Sequence, residues 1–353
     1  MISATLVLWL LVAEGIVWVG ASGVLCGHAI WLWWYRRRSR PLLRQGRALV
    51  HLLLQGEALS RTQRDWLNAL PVRLQIRLFV ELAPSLSGSH QQRITALAQE
   101  LGLLARARTY CRSRLWWRRL RGARLFTLVG GGAEVVLPLF RDHYAIIRAQ
   151  AALWAVDHPC PAVITALLDL LGDPNGLCRL AAQDTLLRRG RETAEALARA
   201  LPAFSEHHLE AALTVAVGLA EPRFLVPALT FCAHASPRFR ALAAALLGAL
   251  GGTQGVQALL DLLADAVPEV RAAAADALGK LGHWPAVSHL APLLRDHVWI
   301  VRRAAGLALL ALGAPGLLYL RRSLSDADPF AADMAQQVLD LPSSVGLETS
   351  PWP

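Results

Sequence analysis

Residues 265–282 read DAVPEVRAAAADALGKLG, and the phrase returns at 296–313 as DHVWIVRRAAGLALLALG. Five of the eight residues from Arg271 to Leu278 are alanine. A helix so poor in side chains holds little core by itself. It is suited to close approach, and the repetition says what it approaches: further copies of itself.

Counted outward from Arg271, one column of the chain reads Arg119, Arg148, Arg179, Glu210, Arg240, Arg271, Arg302 and Asp333, at steps of 29 to 31 residues. Six residues ahead of its last seven members stand Asp142, Asp173, Phe204, His234, Asp265, Asp296 and Ala327. Two columns that keep register over more than 200 residues define an internal repeat. Each unit reads as a short amphipathic helix, such as 255–265 or 285–296, a turn bearing Asp and often Pro, and an alanine-rich second helix. Gly190, Gly251, Gly282 and Gly313 fall where a left-handed residue closes that second helix. Asp suits the free amides at the next helix start, and Pro tolerates its first turn. No stretch beyond residue 36 alternates with a period of two, so the expected class is all-α.

One such pair cannot bury its own apolar face, whereas a stack makes a continuous core. An arginine at the same height in every layer reaches the aspartate of its own or the adjacent turn, forming a ladder of charge-assisted contacts. Asp142, Arg148, Asp173, Arg179, Arg240, Asp265, Arg271, Asp296 and Arg302 are accordingly read as structural and not catalytic.

The pattern D-x-x-P-x-V-R-x-x-A-x-x-A-L-x-x-L-G is carried here by Asp265, Pro268, Val270, Arg271, Ala274, Ala277, Leu278, Leu281 and Gly282. Residues 296–313 lack the Pro but keep Asp296, Val301, Arg302, Ala305, Ala308, Leu309, Leu312 and Gly313. It resembles the HEAT repeat, specifically the short type of the phycobilin lyases, over roughly 104–340. The resemblance implies a right-handed α-solenoid of stacked helical pairs. At 204–219 Phe204 and Glu210 replace Asp and Arg, which marks a kink or contact site; at 327–339 Ala327 and Asp333 do so in a capping unit. Lyase activity is implied only by that distant resemblance, and no chromophore-handling residue stands out. HEAT-type di-iron enzymes carry repeated His-Glu pairs, and this sequence has no His-Glu dipeptide.

The N-terminus is of another kind. MISATLVLWLLVAEGIVWVGASGVLCGHAIWLWWYRRRSR holds one formal charge, Glu14, before Tyr35. A spanning helix needs about 20 apolar residues. The stretch ends on Trp31, Trp33, Trp34 and Tyr35, then Arg36, Arg37, Arg38 and Arg40, an aromatic belt followed by residues that resist translocation. The expectation is a retained single-pass anchor in the cell membrane over 1–35, with the C-terminal bulk in the cytoplasm. A cleaved signal peptide would place its basic residues first. Two registers are open: a span near 4–25 with 28–35 along the interface, or a span running back from the belt with Glu14 near the outer headgroups. In the first, Glu14 is buried and is a candidate partner contact. Gly23 and Gly27 form a GxxxG pair suited to close helix packing.

Residues 36–103 are expected to form a basic helical cap of two or three helices, with a linker at 84–89; 341–353 is expected to be a disordered tail. Residues 36–124 carry 19 arginines against Glu57, Asp65, Glu81 and Glu100. Lys280 is the only lysine, so single arginines are discounted as phosphate ligands. Residues 106–126 concentrate eight arginines with Tyr110, Trp116 and Trp117. This strip suits the anionic leaflet, or nucleic acid, or a first repeat helix with Trp116 and Trp117 in the core; register through Arg119 favours the last, and nucleic acid is the weakest of the three.

No phosphate loop, GxSxG, HExxH or paired acids are present. The five cysteines have irregular spacing and no CxxC, against a disulfide framework. His158-Pro-Cys160 and Cys232-Ala-His234 look like zinc-site fragments, but two repeats separate them and neither has a second ligand pair nearby. Packing is the simpler reading, and no cofactor is expected. The sequence therefore points to a membrane-anchored cytoplasmic scaffold for an unidentified protein partner, with lipid headgroups as a second contact.

Overall fold

The structure is a computed structural model that describes residues 4–82, 89–158 and 160–341. The tail expected from residue 341 and the linker expected at 84–89 fall, apart from their end residues, outside the described residues. Among the described residues all regular structure is helical, and the chain divides into two compact units, Met1–Gly132 and Ala133–Pro353.

The first unit begins with a single helix, α1 (Ala4–Gln55), which runs through Pro41. The helix therefore runs without a break across the boundary expected at residues 35–36. Composition changes there, but nothing in RRRSR opposes helix, and the strong breaker Pro41 costs one amide rather than the helix. Beyond it Leu43, Leu49 and Val50 turn into the core of the unit. Among the described residues no helix is long and apolar enough to cross a membrane, so the spanning segment expected over 1–35 has no support from the fold. Many of that segment's side chains, including Trp31 and Tyr35, and the Arg36 that follows it lie outside the described ones. Trp33 and Trp34 are exposed, with the guanidinium groups of Arg37 and Arg38 over their rings at 5.1 and 5.2 Å. Glu14, Gly23, Gly27 and Arg40 are exposed, and among the described residues no atom of a neighbour approaches the Gly23 or Gly27 Cβ positions within 4 Å.

Four short helices and one longer one follow: α2 (Arg61–Ala69), α3 (Val72–Leu82), α4 (Ser89–Glu100), α5 (Leu103–Cys111) and α6 (Trp116–Val129). A reciprocal box starts α2, with the Gln63 amide donating to Ser60 Oγ and the Ser60 amide to Gln63 Oε1. Buried Gln75 donates to the carbonyls of Leu67 and Asn68 and accepts from Arg106, joining α2, α3 and α5. Helices α5 and α6 form a tight pair: a Cβ at Gly122 would stand 2.8 Å from the Ala107 carbonyl oxygen. Contrary to expectation, Trp116 and Trp117 are not in its core. They occupy the first turn of α6 and are exposed, packed edge to face on each other at 6.1 Å. Leu120, Ala123, Leu125 and Phe126 fill the core instead.

The second unit is a run of helical pairs. These are α7 (Ala133–Val136, continued by a 3-10 turn to Arg141) with α8 (Ala145–Trp154), α9 (Pro161–Leu170) with α10 (Gly176–Arg189), and α11 (Arg191–Ala200) with α12 (Glu206–Leu219). Then come α13 (Leu225–Phe231) with α14 (Pro237–Leu250), α15 (Thr253–Leu262) with α16 (Pro268–Lys280), α17 (Val287–Leu290, flanked by 3-10 turns) with α18 (Trp299–Ala311), and α19 (Ala314–Ser323) with α20 (Pro329–Leu339). The second helices pack on one another in sequence, which answers what the bare alanine helix leans on. In α16, Ala272, Ala273, Ala274, Ala275 and Ala277 are all buried. Small residues set the spacing between layers. A Cβ at Gly248 would stand 2.7 Å from Ala277 Cβ, and one at Gly279 would stand 2.7 Å from Ala308 Cα, nearer than real Cβ atoms come. Gly248 and Gly279 each lie eight residues after the column arginine, so the repeat carries a third column.

Candidate interaction surface

The turns before the second helices form the most ordered polar feature of the second unit. Those that keep the aspartate are built alike. The aspartate accepts the amide two residues on: Tyr144 to Asp142 at 3.0 Å, Asn175 to Asp173 at 2.8 Å, Val267 to Asp265 at 2.8 Å and Val298 to Asp296 at 2.9 Å. The arginine six residues later reaches back with Nη1 to the carbonyl of the aspartate of its own turn, as Arg148 to Asp142, Arg179 to Asp173, Arg271 to Asp265 and Arg302 to Asp296, at 2.7–2.8 Å. Its Nε and Nη2 edge points forward to the carboxylate of the next turn. Arg148 grips Asp173 at 2.7 and 2.8 Å, Arg240 grips Asp265 at 2.7 and 2.9 Å, and Arg271 grips Asp296 at 2.9 Å through both nitrogens. The expected choice between own and adjacent turn resolves into both: backbone in its own turn, carboxylate in the next. Arg119 makes the same backward clasp on the carbonyls of Ser113 and Arg114.

The pairs are desolvated, with Arg271 and Asp296 side chains 9% and 7% exposed. Burial pushes the Asp173 and Asp296 carboxyl groups up, but hydrogen bonds from Arg148 and Arg271 and from a turn amide outweigh it and hold both below the ordinary value. The Arg240 hydrogen bonds hold Asp265 down in the same way. A carboxylate whose folded value is depressed lends stability above its unfolded value, about 3.9, and loses it as pH falls through the folded value. The second unit is thus expected to keep full stability to about pH 5 and to weaken steeply below about pH 4. Asp296→Asn should flatten that acid limb; unfolding midpoints followed from neutral pH into acid check this, and a wild-type curve as flat as the variant's would contradict it.

The ladder breaks between α10 and α12. Arg179 finds Phe204, not Asp, 25 residues on, and Asp173 in its own turn is already held by Arg148. The Phe204 ring stacks on His208 at 5.1 Å. Glu210, standing in the arginine column, is engaged by Arg238. His234 replaces Asp in the following turn and accepts the Ser236 amide through Nδ1 at 3.0 Å, so the turn keeps its form without a carboxylate. At the break a groove of about 270 Å³ opens, lined by Gly176, Arg179, Gln183, His207, Glu210 and Thr214, with Leu180 on its flank.

The last turn differs from the sequence expectation. Asp326, not the residue at 327, accepts the amide two residues on (Asp328, 3.0 Å), and Pro329 starts the helix. The final step is one residue shorter than the 31 counted, which puts Ala332 rather than Asp333 in the arginine column. Asp326 pairs with Arg295 at 2.7 Å, while Arg302 lies over the Phe330 ring at 4.9 Å and its buried Nε has no hydrogen-bond partner among the described residues. Apolar side chains recur beside these turns. Tyr144, Leu177, Trp299 and Phe330 each stand at the start of a second helix and are 43–62% exposed.

Among the described residues no group of three His, Cys, Asp or Glu could hold a metal ion. His158 stacks on Trp154, and burial pushes the Cys232 thiol up to about 11, away from the thiolate that zinc requires.

Residues 223–310 match the profile of a family described as HEAT repeats. No curated protein matches the chain. Among solved structures, yeast importin-beta (Kap95p) is 11% identical, covering 85% of this chain and 51% of its own, with a TM-score of 0.47. The chain thus spans about half the length of that importin. The Escherichia coli protein YibA is 18% identical over 69% of this chain and 96% of its own, with a TM-score of 0.41. The CpcE–CpcF complex of phycocyanin lyase from Nostoc is 20% identical over 50% and 98%, with a TM-score of 0.31. The profile match is to HEAT repeats in general and does not single out the phycobilin-lyase type. Over its described residues the second unit is an all-helical repeat solenoid, and residues 223–310 of it match the HEAT-repeat profile.

Proposed function

We propose that the chain is a scaffold that offers its helical stack to a protein partner at a membrane surface. The observation that carries this reading is the set of exposed apolar side chains Tyr144, Leu177, Trp299 and Phe330 at the starts of second helices, with buried ion pairs locking the turns at Leu177 and Trp299. A rigid solenoid with spaced apolar anchors suits an extended partner segment, which then loses less freedom on binding than it would against a mobile surface.

Membrane attachment is the second element of the proposal, and the sequence supports it most. Residues 4–35 hold one formal charge, at Glu14. At about 1.5 Å per residue a helix of that length exceeds the roughly 30 Å hydrocarbon layer. Exposed Trp33 and Trp34 under Arg37 and Arg38 fit a headgroup belt. Exposed Arg114, Trp116, Trp117 and Arg118 fit an anionic surface. Gly23 and Gly27, with nothing packed on them among the described residues, fit a partner helix. The full chain is expected to pellet with membranes and resist carbonate. A chain beginning at residue 37, which keeps buried Ser39 and Leu43, is expected to stay in the supernatant. Release of the full chain by carbonate would remove the anchor. A crosslinking pull-down from native membranes tests the scaffold itself, and recovery of no partner would remove that.

A further inference from the structure

The geometry points to the groove between α10 and α12 as a receptor for an Asp or Glu side chain of an extended partner peptide, taken by Arg179. The inference rests on the scaffold reading and adds the chemistry of the contact. Arg148, Arg240 and Arg271 show what the arginine of this turn does when complete: Nη1 holds its own turn's carbonyls, and Nε with Nη2 grips a carboxylate 25 residues ahead. Arg179 makes the first half, with Nη1 donating to Asp173 and Pro174 carbonyls at 2.7 and 3.2 Å. Its other edge has no hydrogen-bond partner among the described residues, because the position that should supply one is Phe204. The guanidinium is therefore already oriented for a bidentate carboxylate that the chain does not provide.

The surroundings agree with that ligand. The groove's volume of about 270 Å³ admits a short acidic side chain. Glu210 also lines it, but its carboxylate is engaged by Arg238, so Arg179 remains the uncompensated charge. Exposed Leu180 on the flank offers a contact for an apolar residue next to the acid. A peptide carboxylate in this place completes the interrupted ladder between Arg148–Asp173 and Arg240–Asp265.

The test uses the full chain in neutral-detergent micelles, with the Nε–Hε signals of its arginines followed by NMR during titration with N-acetyl-aspartate N-methylamide. Arg179 is expected to shift saturably while Arg148, Arg240 and Arg271 stay fixed, and the asparagine analogue is expected to move none of them. Phe204→Asp, which supplies the missing carboxylate from within, is expected to abolish the response. No shift at Arg179, or an equal shift at exposed Arg199, would overturn the site. In crosslinking from native membranes, Arg179→Gln is expected to capture the partner about tenfold less well than the wild type. Equal capture overturns this inference and leaves the scaffold standing; no capture by either chain removes both.

Discussion

Arg271→Ala is expected to lower the unfolding free energy of the repeat unit by about 3–5 kcal/mol, the cost of stranding a buried charge. Arg271 makes four hydrogen bonds: two to the Asp296 carboxylate at 2.9 Å, and one each to the Asp265 and Ala266 carbonyls at 2.8 and 3.2 Å. Its removal leaves a carboxylate whose side chain is 7% exposed without its counter-charge, and two carbonyls without their donor. In a unit of this size that loss corresponds to a fall of about 10 °C in Tm. Arg179→Ala gives the contrast, since Arg179 holds only two carbonyls and no carboxylate, and its loss should cost about 1 kcal/mol. Replacing both partners, as Arg271→Met with Asp296→Leu, should recover most of the stability, because a desolvated ion pair is expensive to assemble. Thermal and urea unfolding of the three variants check the ordering. Equal costs at Arg271 and Arg179 would mean that the forward grip contributes nothing.

Gly279→Ala is the second large effect, at about 2–3 kcal/mol destabilising. By helix propensity alone the change should stabilise by up to about 1 kcal/mol. Packing reverses the sign. The new methyl would meet Ala308 Cα at 2.7 Å and Ala308 Cβ at 2.9 Å, so α18 itself has to move. A packed helix cannot shift without opening contacts elsewhere in the stack. Gly306→Ala is the control, because its nearest neighbour is a side-chain tip, Val338 Cγ2 at 2.8 Å, which moves more cheaply than a backbone. A Gly279→Ala chain that unfolds later than wild type would show that α16 and α18 do not approach as closely as described.

Much of this architecture is written in the spacing. The Asp and Arg columns located the pairs, and Phe204 with Glu210 marked the place where the ladder breaks. What escaped the sequence did so for identifiable reasons. The direction of the arginine's reach depends on the rise between layers, which a column of letters does not contain. A strict step of 31 puts the last turn one residue late, whereas the local signal, an Asp three residues ahead of Pro329, marks its true place. Trp116 and Trp117 look like core by hydrophobicity, yet they fall in the first turn of α6, where Leu120 and Ala123 occupy the buried face. The glycine column at Gly248 and Gly279 lies inside helices, where sequence reasoning counts glycine as a weak spot rather than a spacer. Composition changes at residue 36, whereas the backbone of α1 runs through it unchanged.

The most direct test of the stack is a pair of double-mutant cycles on Arg271, one with Asp296→Ala and one with Asp265→Ala. The layered arrangement predicts a coupling of about 2–3 kcal/mol with Asp296, 25 residues ahead, and less than about 0.5 kcal/mol with Asp265, whose carboxylate belongs to Arg240. Equal couplings, or a larger one within the turn of Arg271 itself, would contradict the account.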